Sequence, residues 1–384
     1  MTPLANELQT YLQGQQPAML ALLRQLVLAE SPSSVPAAQG TVQALLRPPL
    51  QALGFRVDLI PGTQSGGMLL ARPGDAPTQT PGQLLLGHCD TVWPLGTLAH
   101  MPLAQEGNQL RGPGVFDMKA GLVQMLFALQ ALRELGHPPA LTPVIFISSD
   151  EEIGSPDSKE HICRLAKEAN RALIIEPASG PAGKLKTARK GTAQYEILVT
   201  GRAAHAGLDP EKGVSAILEM SHIVQKLFAL NDPAGGISVN VGQITGGTRP
   251  NVIAAECRAV VDVRAPTLAD ARRIASTIQA LQAQTPGTSL QISGSINRPP
   301  LERTPANQQL WHTARRLGTQ LDLSLEETLV GGGSDGNFTS QYTATLDGLG
   351  PVGDGAHARH EFIYLDRLAE RAALLALLLL APPV

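Results

Sequence analysis

Three short apolar runs each break off into residues that resist burial, and this conjunction limits the chain more than any other feature. "QLLLGHCD" (83–90) ends in His88 and Asp90. "VIFISSDEEIGS" (144–155) runs into Asp150, Glu151 and Glu152. "RALIIEP" (171–177) delivers Glu176. Runs without polar alternation read as strands buried on both faces, the pattern of a largely parallel sheet covered by helices. In such sheets ligands bind at the carboxyl ends of the strands. All three polar clusters fall there. A charge at a buried strand end must be paired, bound to a metal or neutralised, and a divalent cation turns a repulsive acidic cluster into a favourable one.

The rest of the chain fits an α/β layer fold with an insertion. Helical periodicity marks the first 30 residues and the segment 117–136, where Asp117 stands behind Gly112 and Gly114. Past Lys190 the pattern changes to β-α-β-β-α-β, the ferredoxin-like order, with Thr267 as the expected N-cap of its second helix. This predicts an inserted domain at 191–299 and a discontinuous α/β domain at 1–190 and 300–384. The α/β pattern resumes with a helix at 304–318, the loop "GGGSDGNF" (331–338) and an apolar last helix. The run "AALLALLLLA" (372–381) has half the length of a membrane span and reads as a buried helix. "RPGDAPTQTPG" (72–82) reads as a surface loop.

A length of 384 residues suits two domains, and a formal net charge of −3 with 3% aromatics argues against nucleic-acid and membrane partners. Three cysteines, odd in number and without zinc-ribbon spacing, argue against a disulfide framework. The opening "MTPLANELQTYLQG" lacks a signal-peptide pattern, so a cytoplasmic location is expected.

Each polar residue has an ordinary reading. His88 alone reads as a satisfied core histidine, Asp117 as a helix N-cap, Glu176 as a solvated carboxylate, and the acidic triplet as a solvated loop. Strand alternation sets His88 and Asp90 on one face, where the carboxylate would orient the imidazole, and turns Cys89 the other way. Adjacent Glu151 and Glu152 should diverge, one toward a metal and one toward a bound water. Their joint occurrence makes a metal site the better reading.

"GHCDTVWP", "GPGVFDMKAG", "SSDEEIGS", "IIEPAS", "AAHAG" and "GAHARHE" follow one another in this order. Together they resemble the co-catalytic zinc family that includes carboxypeptidase G, acetylornithine deacetylase, succinyl-diaminopimelate desuccinylase and related dipeptidases. The resemblance covers nearly the whole chain and implies two Zn²⁺ per subunit, with Co²⁺ or Mn²⁺ as alternatives. It implies that His88, Asp117 and Glu176 hold one ion and Asp117, Glu152 and His357 the other. His357, not nearby His360, matches the pattern. Glu151 would be the general base, Asp90 the support of His88, and His205 an oxyanion-stabilising residue on a lid domain that also forms a homodimer. Asn251 and Arg264 match positions that bind a substrate carboxylate. Gly332 and Gly333 lie in a loop whose N–H groups suit the same task.

The implied substrate is a small molecule with a free carboxylate. "LDGLGPVGDGAHARHEFI" most resembles the carboxypeptidase G branch, which releases C-terminal glutamate from N-acyl or peptidyl, folate-like substrates. The alternative is an N-acyl-amino-acid deacylase or a dipeptidase. Asn337 stands where the desuccinylase branch usually carries arginine. A silent binding protein of this fold would lack the base or a ligand, and Glu151 and all five expected ligands are present.

Overall fold

The structure, a computed structural model, describes residues 1–74 and 82–383. The expected surface loop at 72–82 therefore lies mostly outside the described residues. The strands that matter here are β1 (Phe55–Ile60), β2 (Met68–Pro73), β3 (Gly82–His88), β4 (Thr142–Ser148) and β5 (Ala169–Ile174). Then come β6 (Gly191–Thr200), β7 (Ser238–Gly246), β8 (Glu256–Ala265), β9 (Ser289–Arg298) and β10 (Ala344–Leu346).

The chain divides into a larger unit, residues 1–187, 303–330 and 334–384, and a smaller one, residues 188–302 and 331–333. In the larger unit the sheet order is β1-β2-β4-β3-β5-β10. Strands β4, β3, β5 and β10 run parallel, as their unbroken apolar sequences require. Every residue of β3 is buried. The antiparallel edge formed by β1 and β2 was not anticipated from the sequence and makes the sheet mixed. The core includes helix α1 (Ala120–Glu134) and the last helix, Leu368–Leu380, whose apolar face is buried all along its length. α1 starts later than the expected 117–136, because Asp117 (φ −111°, ψ 96°) and Met118 (φ −130°, ψ 31°) are not helical. Asp117 is thus not the helix cap; Lys119 occupies that position.

The smaller unit is a four-stranded antiparallel sheet ordered β7-β8-β6-β9 with two helices, Ala216–Phe228 and Leu268–Gln279. Strand β6 alternates buried and more exposed residues. The inward set, including Tyr195, Ile197 and Val199, forms a separate core with Met220, Ile223, Ile274 and Ile278 from the helices. Thr267 caps the second helix, its side chain accepting from the Asp270 N–H. The unit begins three residues before and ends three after the expected 191–299, and it takes in Gly331–Gly333.

Candidate metal centre

The carboxyl ends of three parallel strands supply most of the cluster. His88 is the last residue of β3. Glu151 and Glu152 occupy a single 3-10 turn, Glu151–Ile153, just past β4. Glu176 lies two residues beyond β5. Asp117 comes from the irregular turn Val115–Lys119 that leads into α1. His357 arrives from far along the chain, in a loop between the short strands Gly353–Asp354 and Phe362–Tyr364. Phe362–Tyr364 pairs antiparallel with Gln109–Arg111, and this pairing carries the His357 loop to the segment bearing Asp117. His357 itself adopts a left-handed backbone (φ 61°).

The side chains converge. His88 Nε2 is 3.2 Å from Asp117 Oδ1 and 3.4 Å from Glu176 Oε1. His357 Nε2 is 3.5 Å from Asp117 Oδ2 and 3.0 Å from Glu152 Oε2. Asp117 therefore turns one oxygen to each imidazole. Glu151 is buried, and it joins His88 and Glu176 in a group whose ligand atoms lie within 4.8 Å of one another. His88, Asp117 and Glu152 form a second such group. All six residues expected around a pair of cations are thus in one place. Cys89 is buried and remote in role, its thiol pushed up to about 12 by burial and by the charge of Asp90.

The acidic triplet divides its labour. Asp150 Oδ2 accepts from the N–H groups of Asp157 (2.7 Å) and Ser158 (3.0 Å), fixing the turn before the next helix. Asp90 sits beneath the two glutamates. Its carboxylate lies 3.3 Å from His88 Nδ1 and accepts from Ser33 Oγ at 2.7 Å. The N–H groups of Glu151 and Glu152 also donate to Asp90, at 3.3 and 3.2 Å. One carboxylate thus orients both the imidazole and the backbone of the glutamate pair.

The electrostatics set buried carboxylates against two imidazoles. Burial pushes Glu152 up, and the charge of Asp117 pushes it further, to about 7. His357 is raised to about 11 by hydrogen bonds to Asp117 and then Glu152. Burial alone would make His88 shed its proton, but Asp117, Asp90 and Glu176 outweigh it and hold the imidazole well above its usual range. Burial likewise pushes against ionisation of Asp117, yet the two histidines win and hold its carboxyl below the usual range. Glu152 Oε1 is buried with no hydrogen-bond partner, an expensive arrangement that a cation would relieve. Two imidazoles with carboxylates around them make a mixed N/O donor set that suits zinc and its divalent neighbours.

The remaining expected residues lie in the smaller unit. His205 is exposed, and its Nδ1 accepts from the N–H groups of Gly207 and Leu208, both at 3.1 Å. That places the ring proton on Nε2 in the neutral form. Asn251 is exposed, and its carbonyl accepts from the Ala206 N–H at 3.0 Å, so it neighbours the His205 segment. Arg264 is gripped by Asp262 through two contacts of 2.9 and 3.0 Å, an ion pair within β8. Gly332 and Gly333 turn their carbonyls to Arg189 Nη1, at 3.1 and 3.3 Å.

Sequence reading missed Glu361. It is fully buried and holds the Asp117 loop by that loop's own N–H groups. Only its place four residues after His357 hinted at it. Asp335 was also missed: its carboxylate receives Ser148 Oγ at 3.1 Å and the hydroxyl of Ser155, seating "GGGSDGNF" by a side chain.

Comparison with known proteins agrees with this geometry. The family model M20_dimer, the peptidase dimerisation domain, matches residues 187–287. Carboxypeptidase G2 of Pseudomonas sp. (strain RS-16) is 29% identical over 380 residues, covering 95% of this chain and 89% of that protein. Acetylornithine deacetylase of Erwinia tasmaniensis is 30% identical over 377 residues, covering 90% of this chain and 93% of its own. Among solved structures, the Bacillus subtilis YXEP protein, described as a dinuclear metal binding peptidase from the M20 family, superposes with a TM-score of 0.68 at 12% identity. That match covers 96% of this chain and 98% of the other. Fold, inserted domain, converging ligands and full-length relatives lead to one assignment: this chain belongs to the M20 family of metallopeptidases and amidohydrolases.

Proposed function

We propose that the protein is a two-zinc carboxypeptidase that releases a C-terminal amino acid, glutamate in the first instance, from N-acyl or peptidyl substrates of folate type. The observation that carries the metal reading is Asp117, one oxygen of which faces His88 while the other faces His357. A carboxylate so placed suits two cations about 3.5–4 Å apart. His88, Asp117 and Glu176 would hold one, and Asp117, Glu152 and His357 the other. Bound there, the ions supply a water of lowered pKa and polarise the scissile carbonyl.

The chain's own groups do the rest. Glu151 takes the proton of the attacking water and passes it to the leaving amine. Asp90 keeps the His88 ring oriented and holds the backbone of Glu151 in register. We assign oxyanion stabilisation to His205, whose Nδ1 is already occupied as an acceptor, leaving Nε2–H to donate. Asn251, Arg264 and the Gly332–Gly333 loop are assigned to the substrate carboxylate. For Arg264 that role requires exchange of the Asp262 ion pair for a second carboxylate. The dimerisation-domain match supports a homodimer formed through the smaller unit.

Likeness to carboxypeptidase G2 over 95% of this chain supports glutamate release. Likeness to acetylornithine deacetylase over 90% supports a second reading, deacylation of an N-acyl amino acid. A panel of N-acyl and peptidyl amino acids assayed with zinc decides between them. Preferential liberation of glutamate upholds the first reading; preference for acetylornithine transfers the assignment to the second.

A further inference from the structure

We infer that Glu361 is a positioning residue that locks the Asp117 turn to the His357 hairpin, so that the two halves of the dinuclear site form together. The inference rests on the metal reading above and adds a residue to it.

The argument starts from strand register. Phe362–Tyr364 pairs with Gln109–Arg111 residue by residue, Phe362 against Arg111. One step further the two segments part. A last main-chain bond joins them, from the Gly112 N–H to the Glu361 carbonyl at 3.3 Å. Beyond it the Glu361 side chain takes over from the ladder. Oε2 accepts from the Gly114 N–H at 2.9 Å and from the Trp93 indole N–H at 2.8 Å. Oε1 accepts from the N–H groups of Phe116 (2.9 Å) and Asp117 (3.0 Å).

Each oxygen thus receives two donors, which fills the capacity of a carboxylate. Three loops meet on it: the one after β3 through Trp93, the one bearing Asp117, and the hairpin bearing His357. On the hairpin side the Glu361 N–H closes a turn onto the Ala358 carbonyl at 2.9 Å, immediately after His357. A side chain at Gly355 (φ +84°) would come within 2.9 Å of the Glu361 backbone, so the turn is closely fitted.

The donor pattern also states which side chain the place requires. All four contacts come from N–H groups. An amide nitrogen cannot accept, so glutamine would leave two donors facing a third donor group. Glutamine is otherwise nearly the same shape, which makes Glu361→Gln a test of the hydrogen bonds and not of packing.

The experiment is a zinc titration against a competing chelator, run on the wild type, Glu361→Gln and Trp93→Phe, with thermal unfolding of each. Wild type is expected to hold two ions. Glu361→Gln should weaken the more weakly held of the two ~10–100-fold, the usual cost of losing a group that orients a metal ligand. Trp93→Phe removes one donor of four and should shift the same ion in the same direction by less, which keeps the test usable where Glu361→Gln folds poorly. Binding constants within twofold of wild type in the folded variants overturn the inference. A wild type that holds fewer than two ions overturns the dinuclear reading itself, whatever the variants do.

Discussion

The two ends of the central sheet both bury charge, and they do it differently. At the end where β5 begins, Arg171 is fully buried and fully engaged. Its guanidinium donates to Gln83 Oε1 at 2.8 Å and to the carbonyls of Leu378 (2.9 Å), Ala381 (2.8 Å) and Pro382 (2.9 Å). The carbonyls belong to the terminus of the last helix, which favours a cation both by hydrogen bonding and by its dipole. At the carboxyl ends of β3, β4 and β5 the charges are mostly of one sign, and Glu152 Oε1 has no partner. Buried charge that is saturated by its own chain is a fastener. Buried charge left short of partners costs free energy that a bound cation would offset.

The largest expected effect tests the incomplete end. Glu151→Gln should lower kcat by about 10²–10⁴-fold, the span of general acid–base catalysis. Two metal ions should remain bound, as measured by metal analysis of the dialysed protein. Retained turnover would remove Glu151 from the mechanism. The complete end should respond in the opposite sense. Arg171→Met leaves several carbonyls unpaired and should cost about 3 kcal/mol in urea unfolding. Metal stoichiometry and kcat per folded molecule should stay unchanged. A shift in metal affinity would show that the two ends are not independent.

A pH series on the metal-free and zinc-loaded protein sharpens the contrast. Glu152 is raised from its ordinary 4.5 to about 7. A group raised on folding adds stability below its unfolded value and loses it as pH climbs through the folded one. The metal-free protein should therefore lose melting temperature between about pH 4.5 and 7. His357, raised from 6.5 to about 11, extends the loss above pH 6.5. Bound cations replace the protons, so the zinc-loaded protein should show a shallower decline. Parallel curves would mean that the ions bind elsewhere. The smallest effect belongs to Asp150, the member of the triplet used for turn closure. Asp150→Asn keeps an oxygen for the N–H groups of Asp157 and Ser158. It should change stability by less than about 1 kcal/mol with both ions retained.

Much of this site was legible because its parts sit at strand ends. Period and composition located β3, β4 and β5, and the residue after each apolar run had to face the ligand side. That geometry put His88, Glu151, Glu152 and Glu176 at strand ends, and the family resemblance supplied their roles. Cys89 was read correctly as a packed residue because alternation turned it away. From pattern alone Asp117 was legible only as an acidic residue behind glycines; its place between two ions came from the family resemblance. Its kinked turn was hidden, since nothing local distinguishes it from a helix cap. β1 and β2 escaped because neither carries the unbroken apolar run that located β3, β4 and β5: β1 alternates buried and exposed residues and β2 ends in Arg72 and Pro73. Glu361 closes the motif "GAHARHE" but nothing local gave its role, because its four partners are backbone and indole N–H groups 244–268 positions away.

Taken alone, then, the sequence determined which residues must meet polar surroundings, the layer architecture that brings strand ends together, and the antiparallel unit inserted within it. Those properties are local, set by periodicity and by side chains that cannot be buried unpaired. Tertiary structure decided which of the three carboxylates in the triplet closes a turn and which two face the cluster. It also turned one oxygen of Asp117 to each histidine and placed Glu361 to hold both loops. The Asp150 turn rests on partners 7 and 8 positions away, but the Glu361 contacts span 244–268 positions, and no local pattern encodes where such partners will lie.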